Sequence, residues 1–251
     1  MAGQFGGWTA IGAEKTASGG YEVAWKNGAA DQYTVWNLDA NGNYVSNATG
    51  VVSGADYALQ SLETSFQQDL NLDGLTGPRT TTIEALGATR LDQVANEFFL
   101  HDGVGNGPSV KFQGAVYMAG QFGGWTAIGA EKTASGGYEV AWKNGPVDQY
   151  TVWNLDANGN YGSNAIGVVS GNSTVLESLE PSFHQDLNND GLIGPPPASH
   201  GNLNDSTLSL SIAQLVSYMA STFASPSSGS SASNPVYVSE TQQPSLAPVH
   251  I

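Results

Sequence analysis

The chain has 251 residues, no cysteine, 32 glycines, six tryptophans and a formal charge of −15 from seven basic against 22 acidic side chains. That balance points away from nucleic acid and anionic membranes, where binding rests on a positive field meeting phosphate or headgroup charge, and towards a cation as partner. No run approaches the ~20 apolar residues that span a bilayer, the opening M-A-G-Q-F-G-G-W reads as lacking a cleaved leader, and the missing cysteines remove disulfides, thiolate zinc and a thiol nucleophile.

Repetition organises the rest. Met1 to Pro78 aligns with Met118 to Pro195, about 65 of 78 positions being identical and the first 28 all the same. Thr80 to Tyr117 precedes the second copy alone. The expected organisation is a partial repeat unit over 1–78, a complete unit over 80–195 and a tail over 196–251. The partial unit is expected either to carry an unpaired sheet edge or to be completed by Ile83 to Tyr117 from behind.

Each copy reads mainly as strand. In the second, Tyr138, Val140 and Trp142 alternate with Glu139, Ala141 and Lys143, and Tyr150 and Val152 alternate with Thr151 and Trp153, the period of half-buried strands. Gly136-Gly137 marks a turn before them, and Asn158-Gly159 within N-L-D-A-N-G-N-Y marks a hairpin. Leu59, Leu62, Phe66 and Leu70, with Leu176, Leu179, Phe183 and Leu187, recur at spacings of three and four, so each unit is expected to end in a short amphipathic helix. Pro181 replaces Thr64 there, so the second helix is expected to break at that proline or to begin with it. Between the copies, Glu97 to Leu100 and Ser109 to Phe112 flank D-G-V-G-N-G as another hairpin. In the tail, Leu208, Ile212, Leu215, Val216, Met219 and Phe223 suggest an amphipathic helix over about 207–224, followed by a flexible, disordered end. The fold class is thus mainly β (α+β), built from tandem antiparallel units.

The chemistry lies directly after the helix of each copy. Asp69, Asn71 and Asp73, with Asp186, Asn188 and Asp190, match the opening half of an EF-hand-type loop, D-x-[DN]-x-[DN]-G. Alternate oxygen side chains then converge on one ion, the glycine permits the sharp turn, and the carbonyl of Leu75 or Leu192 stands at the seventh position. The bidentate Glu of the twelfth position is absent, that place being Thr80 or Pro197. Glu63 and Glu180 on the preceding helix are either further metal ligands or part of a solvated face. The plainer reading of the loop itself is a turn in which Asp and Asn cap the helix end. A calcium site so short of carboxylates is expected to bind in the ~10⁻⁴–10⁻³ M range. Asp39, Asn41 and Asn43, with their partners in the second copy, share the oxygen spacing but fit a hairpin turn.

Catalysis finds little support: there is no H-E-x-x-H pair and no G-x-S-x-G elbow. The tryptophans fit core packing, with Trp8 and Trp125 as the rings to consider for stacking against a sugar. Together, G-Q-F-G-G-W-T-A-I-G-A-E, G-Y-E-V-A-W-K, D-Q-Y-T-V-W-N and F-x-Q-D-L-N-x-D-G resemble the tryptophan-rich C-terminal domain known from Synechocystis secreted proteins. The resemblance implies a secreted bacterial protein exported by type I secretion, often beside calcium-binding haemolysin-type repeats, although the G-G-x-G-x-D nonapeptides are missing here. It implies no activity. The expected function is a secreted, non-enzymatic calcium-binding module for binding or adhesion, with a polysaccharide or cell-surface ligand as partner and neither nucleic acid nor membrane. The alternatives are a carbohydrate-binding module or an accessory domain of a secreted hydrolase.

Overall fold

The run W-T-A-I-G-A-E-K forms β1 (Trp8–Lys15), which pairs antiparallel with β2 (Tyr21–Asn27), followed by β3 (Tyr33–Leu38) and β4 (Tyr44–Val52) in a four-stranded meander. The structure is a computed structural model, and it describes residues 6–197, so the tail helix expected at about 207–224 and the tail's end lie outside the described residues. The turn between β3 and β4 closes on Asp39, whose Oδ1 accepts from the amides of Asn41 and Asn43 at 2.8 Å each. These bonds replace the strand ladder where the backbone reverses.

Helix α1 (Tyr57–Phe66) crosses one face of this sheet and buries Leu59 and Phe66, with Leu70 beyond its end, against Ala24, Tyr33 and Val35. The helix stops at Gln67, which adopts left-handed backbone. Its first amide has a distant cap: Tyr57 N donates to Asn96 Oδ1 at 3.0 Å, while Asn96 Nδ2 donates to Asp56 Oδ1 at 2.6 Å.

The stretch between the copies forms β5 (Thr80–Glu84), β6 (Arg90–Val94) and β7 (Glu97–His101) in one antiparallel sheet, then a ribbon of β8 (Lys111–Phe112) and β9 (Ala115–Val116). Across the D-G-V-G-N-G loop the chain folds back on itself, with Leu100 N donating to Pro108 O at 3.0 Å and Val110 N to Phe98 O at 2.8 Å.

Strands β10 (Trp125–Lys132), β11 (Tyr138–Asn144), β12 (Tyr150–Leu155) and β13 (Tyr161–Val169) then form a second meander in the same register as the first. Trp8 opposes Asn27 as Trp125 opposes Asn144, and Val23 opposes Trp36 as Val140 opposes Trp153. Pro181 has its expected effect: the second helix is split into α2 (Thr174–Glu177) and α3 (Glu180–Phe183), with the proline in the first turn of α3. Leu176, Phe183 and Leu187 cover the helix side of this sheet. Its other side, including Ala127, Ala130, Tyr138, Val140 and Trp142, is covered by Leu91, Phe98, Leu100, Val110 and Tyr117. The segment between the copies therefore places its apolar face on the second sheet and reaches back to the first copy through Asn96. The protein is mainly β, with four antiparallel sheets among the described residues.

Candidate functional site

The two D-L-N-x-D-G loops fold alike. Asp69 Oδ1 accepts from Leu72 N at 2.7 Å and Asp73 N at 3.1 Å, and its Oδ2 accepts from Gly74 N at 2.8 Å. Asn71 Oδ1 accepts from Asp73 N at 3.0 Å, and Asp73 Oδ1 accepts from Leu75 N at 2.9 Å. In the second loop Asp186 accepts from Asn189 N at 2.6 Å, Asp190 N at 3.1 Å and Gly191 N at 2.7 Å, Asn188 Oδ1 from Asp190 N at 3.0 Å, and Asp190 from Leu192 N at 2.8 Å. Both oxygens of the first aspartate, the asparagine Oδ1 and Oδ1 of the second aspartate are thus turned towards the loop's own backbone, so that the peptide chain wraps around them.

A second set of bonds fixes each loop to the sheet. Asn71 Nδ2 donates to Gly54 O at 2.6 Å, and Gly54 N donates to Asp31 Oδ1 at 2.9 Å. Asn188, Gly171 and Asp148 repeat this at 2.7 and 2.8 Å. In the second loop Asn188 Nδ2 also lies 3.4 Å from Asp190 Oδ2. Sequence reasoning missed Asp31 and Asp148; their place in the shared D-Q-Y-T-V-W-N string was the available signal.

Glu63 and Glu180 do something other than line a solvated face or reach the loop's acidic groups. Both are fully buried. Glu63 Oε1 accepts from Leu70 N at 3.0 Å and Asn71 N at 3.3 Å, and Oε2 accepts from Gly77 N at 3.0 Å. Glu180 accepts from Leu187 N at 2.9 Å, Asn188 N at 3.4 Å and Gly194 N at 2.8 Å. A carboxylate is an acceptor with two oxygens, and here both are engaged by backbone donors at the loop's entry and exit. It is a clamp beneath the loop.

The oxygen donors each loop carries at these positions are two carboxylates, one amide oxygen and the backbone carbonyl of Leu75 or Leu192. All are hard oxygens of the kind calcium takes. Among the described residues no three or more His, Cys, Asp or Glu side chains are grouped to hold a metal. The loops differ in charge: Arg79 Nε lies 3.9 Å from Asp73 Oδ2, while no basic side chain among the described residues pairs with Asp186 or Asp190.

The aromatic face is arranged differently in the two copies. Trp8, Trp25, Trp36 and Tyr44 line a cleft of about 620 Å³. The matching space at Trp125, Trp142 and Trp153 is reduced to about 210 Å³, because Tyr117 and Phe122 also form its wall. Trp142 and Trp153 are buried, as core packing requires. A third polar group, unforeseen from sequence, sits in the β5–β7 sheet: buried Asp92 accepts from His101 Nδ1 at 2.6 Å, Arg90 Nε at 2.7 Å and Thr82 Oγ1 at 2.7 Å. Burial pushes its carboxyl up, and the bonds from His101, Thr82 and Arg90 outweigh this and hold it below the ordinary aspartate range.

The geometry defines an antiparallel β protein whose tryptophans and acidic loops recur in two copies. The family model described as the tryptophan-rich Synechocystis species C-terminal domain matches residues 1–77 and 89–194, and the chain belongs to that family. No curated protein and no solved structure matches it.

Proposed function

We propose that the protein is a secreted, non-enzymatic tandem-repeat module that binds calcium at Asp69, Asn71, Asp73 and the Leu75 carbonyl, and at Asp186, Asn188, Asp190 and the Leu192 carbonyl. The observation that carries this reading is that both loops repeat one fold in which oxygen side chains at alternate positions, Asp, Asn and Asp, are wrapped by the loop's own amides. In each loop the asparagine Nδ2 is tied to Gly54 or Gly171, and its Oδ1 accepts the amide of the second aspartate. Two aspartates within one turn repel each other, and a divalent cation relieves that repulsion. The acidic composition supports the same reading. Bound calcium would supply charge neutralisation; the chain's own residues hold the loop shape, with Glu63 and Glu180 clamping its ends. Because ligand binding to the native state stabilises it, metal and fold are coupled.

Calorimetric titration with calcium tests this reading through its stoichiometry, expected to be two. Millimolar calcium is expected to raise the melting temperature, and Asp190→Ala is expected to remove the second site and its share of that rise. No heat and no shift at millimolar calcium would sink the proposal.

The cleft at Trp8 favours a second reading, a carbohydrate-binding module, since a flat apolar sugar face stacks on such rings. Retardation of the chain in polysaccharide gels, abolished by Trp8→Ala, is its test.

A further inference from the structure

Residues 8–27 and 125–144 are letter for letter the same, yet they are not buried alike. Tyr138 is 7% exposed and Val140 0%, with Ala127 and Ala130 equally enclosed. Their counterparts in the first copy are open: Tyr21 is 37% exposed, Ala10 and Ala13 are exposed, and Val23 is half-buried. Composition cannot cause the difference, because there is none. Its cause is the segment from Thr80 to Tyr117, whose Leu91, Phe98, Leu100 and Tyr117 cover the second sheet on the side away from its helices.

We propose that the face of the first sheet built by Ala10, Ala13, Tyr21 and Val23 is an acceptor surface for a Thr80–Tyr117-type segment carried by another polypeptide of this family. The partner's chemistry is set by the covered copy. It is an antiparallel three-stranded sheet presenting two leucines and a phenylalanine, with a tyrosine after the following two-stranded ribbon, to a wall whose alanines leave room for rings. Its polar contacts are set the same way. Ala130 N donates to Glu84 Oε1 at 3.1 Å and Lys111 N to Gly159 O at 2.8 Å; the matching groups of the first copy are the Ala13 amide and the Gly42 carbonyl. A sugar would use the rings at the far end of this face but has no use for an alanine-floored wall. A contiguous exposed apolar face is where interaction sites are found, and the proposal stands independently of calcium.

The test uses the full chain and a fluorescently labelled synthetic peptide of Thr80 to Tyr117 as the probe. Saturable binding of one peptide per chain is expected, with slowed amide exchange at 9–14 and 21–25 and none added across 125–144. Tyr21→Glu and Ala13→Arg alter exposed positions, so the fold is retained, and each is expected to weaken binding about tenfold or more. Three results would overturn the proposal: no saturable binding, binding insensitive to both variants, or new protection only across 125–144. Polysaccharide retardation that depends on Tyr21 while the peptide fails to bind would assign the face to sugar instead.

Discussion

The carboxylate of Glu63 accepts the amide of Gly77 at 3.0 Å while also holding Leu70 N at 3.0 Å, so one buried side chain joins the two ends of the first acidic loop. The loop keeps its shape through this helix residue before any ion is considered. Glu63→Gln is expected to destabilise the protein by about 1–3 kcal/mol, since an amide nitrogen would then face a backbone donor with no acceptor. Glu180→Gln should do the same in the second copy, through Gly194 and Leu187. Urea unfolding measures both, and a neutral result would mean that the clamp is dispensable.

Leu72 and Asn189 occupy the fourth position of their loops with left-handed backbone, at φ of 66° and 65°. Leucine is disfavoured there because its Cβ crowds the following carbonyl, whereas asparagine tolerates the conformation. Leu72 is 78% exposed, so little packing is lost on replacing it. Leu72→Asn, the residue of the second copy, is expected to stabilise by about 0.5–1 kcal/mol, readable as a higher urea midpoint at unchanged slope.

The strands were legible because Tyr138, Val140 and Trp142 alternate with polar or small residues, and the turns because Asn-Gly pairs lie between apolar runs. Helical spacing extended to Leu70, which packs in the same cluster as Phe66 although the helix stops before it; periodicity records burial, and Gln67 ends the hydrogen bonding. The role of Glu63 was hidden because its donors come from a loop seven and 14 residues further on, and an acidic residue on a short helix reads as solvated. The unequal burial of Val23 and Val140 could not be read at all from their identical surroundings in sequence. It depends on where Leu91 to Tyr117 packs, a long-range choice.

The hairpin carboxylates give the protein an acid limit. Hydrogen bonds from the Asn160 side chain, then its backbone, hold Asp156 below the ordinary aspartate range, and Asn43 does the same for Asp39. A lowered native pKa contributes stability that is present above the unfolded value, about 3.9, and is lost as pH falls through the native one. Both turns are therefore expected to loosen only below about pH 4. Asn160→Ala should move the Asp156 titration upward, as followed by carboxyl NMR; an Asp156 that already titrates at the ordinary value in the parent protein would refute this account.

Gly42 and Gly159 sit at the same place in the same turn, with φ of 82° and 79°, but in different surroundings. A Cβ on Gly42 would meet nothing within 4 Å, whereas one on Gly159 would lie 2.1 Å from the Ser109 carbonyl oxygen and 3.2 Å from Pro108. Gly42→Ala is expected to cost only the left-handed strain of an L-residue, about 1–2 kcal/mol. Gly159→Ala carries that strain and also forces backbone apart, displacing the bond from Lys111 N to Gly159 O at 2.8 Å, for roughly 1–3 kcal/mol more. The pair is an internal control, because the turn sequence D-A-N-G-N-Y is common to both. Faster amide exchange at Lys111 should accompany the larger loss. Equal destabilisation by the two substitutions would mean that the segment before β8 is not seated on the second turn, and that the two sheets differ less than their burial indicates.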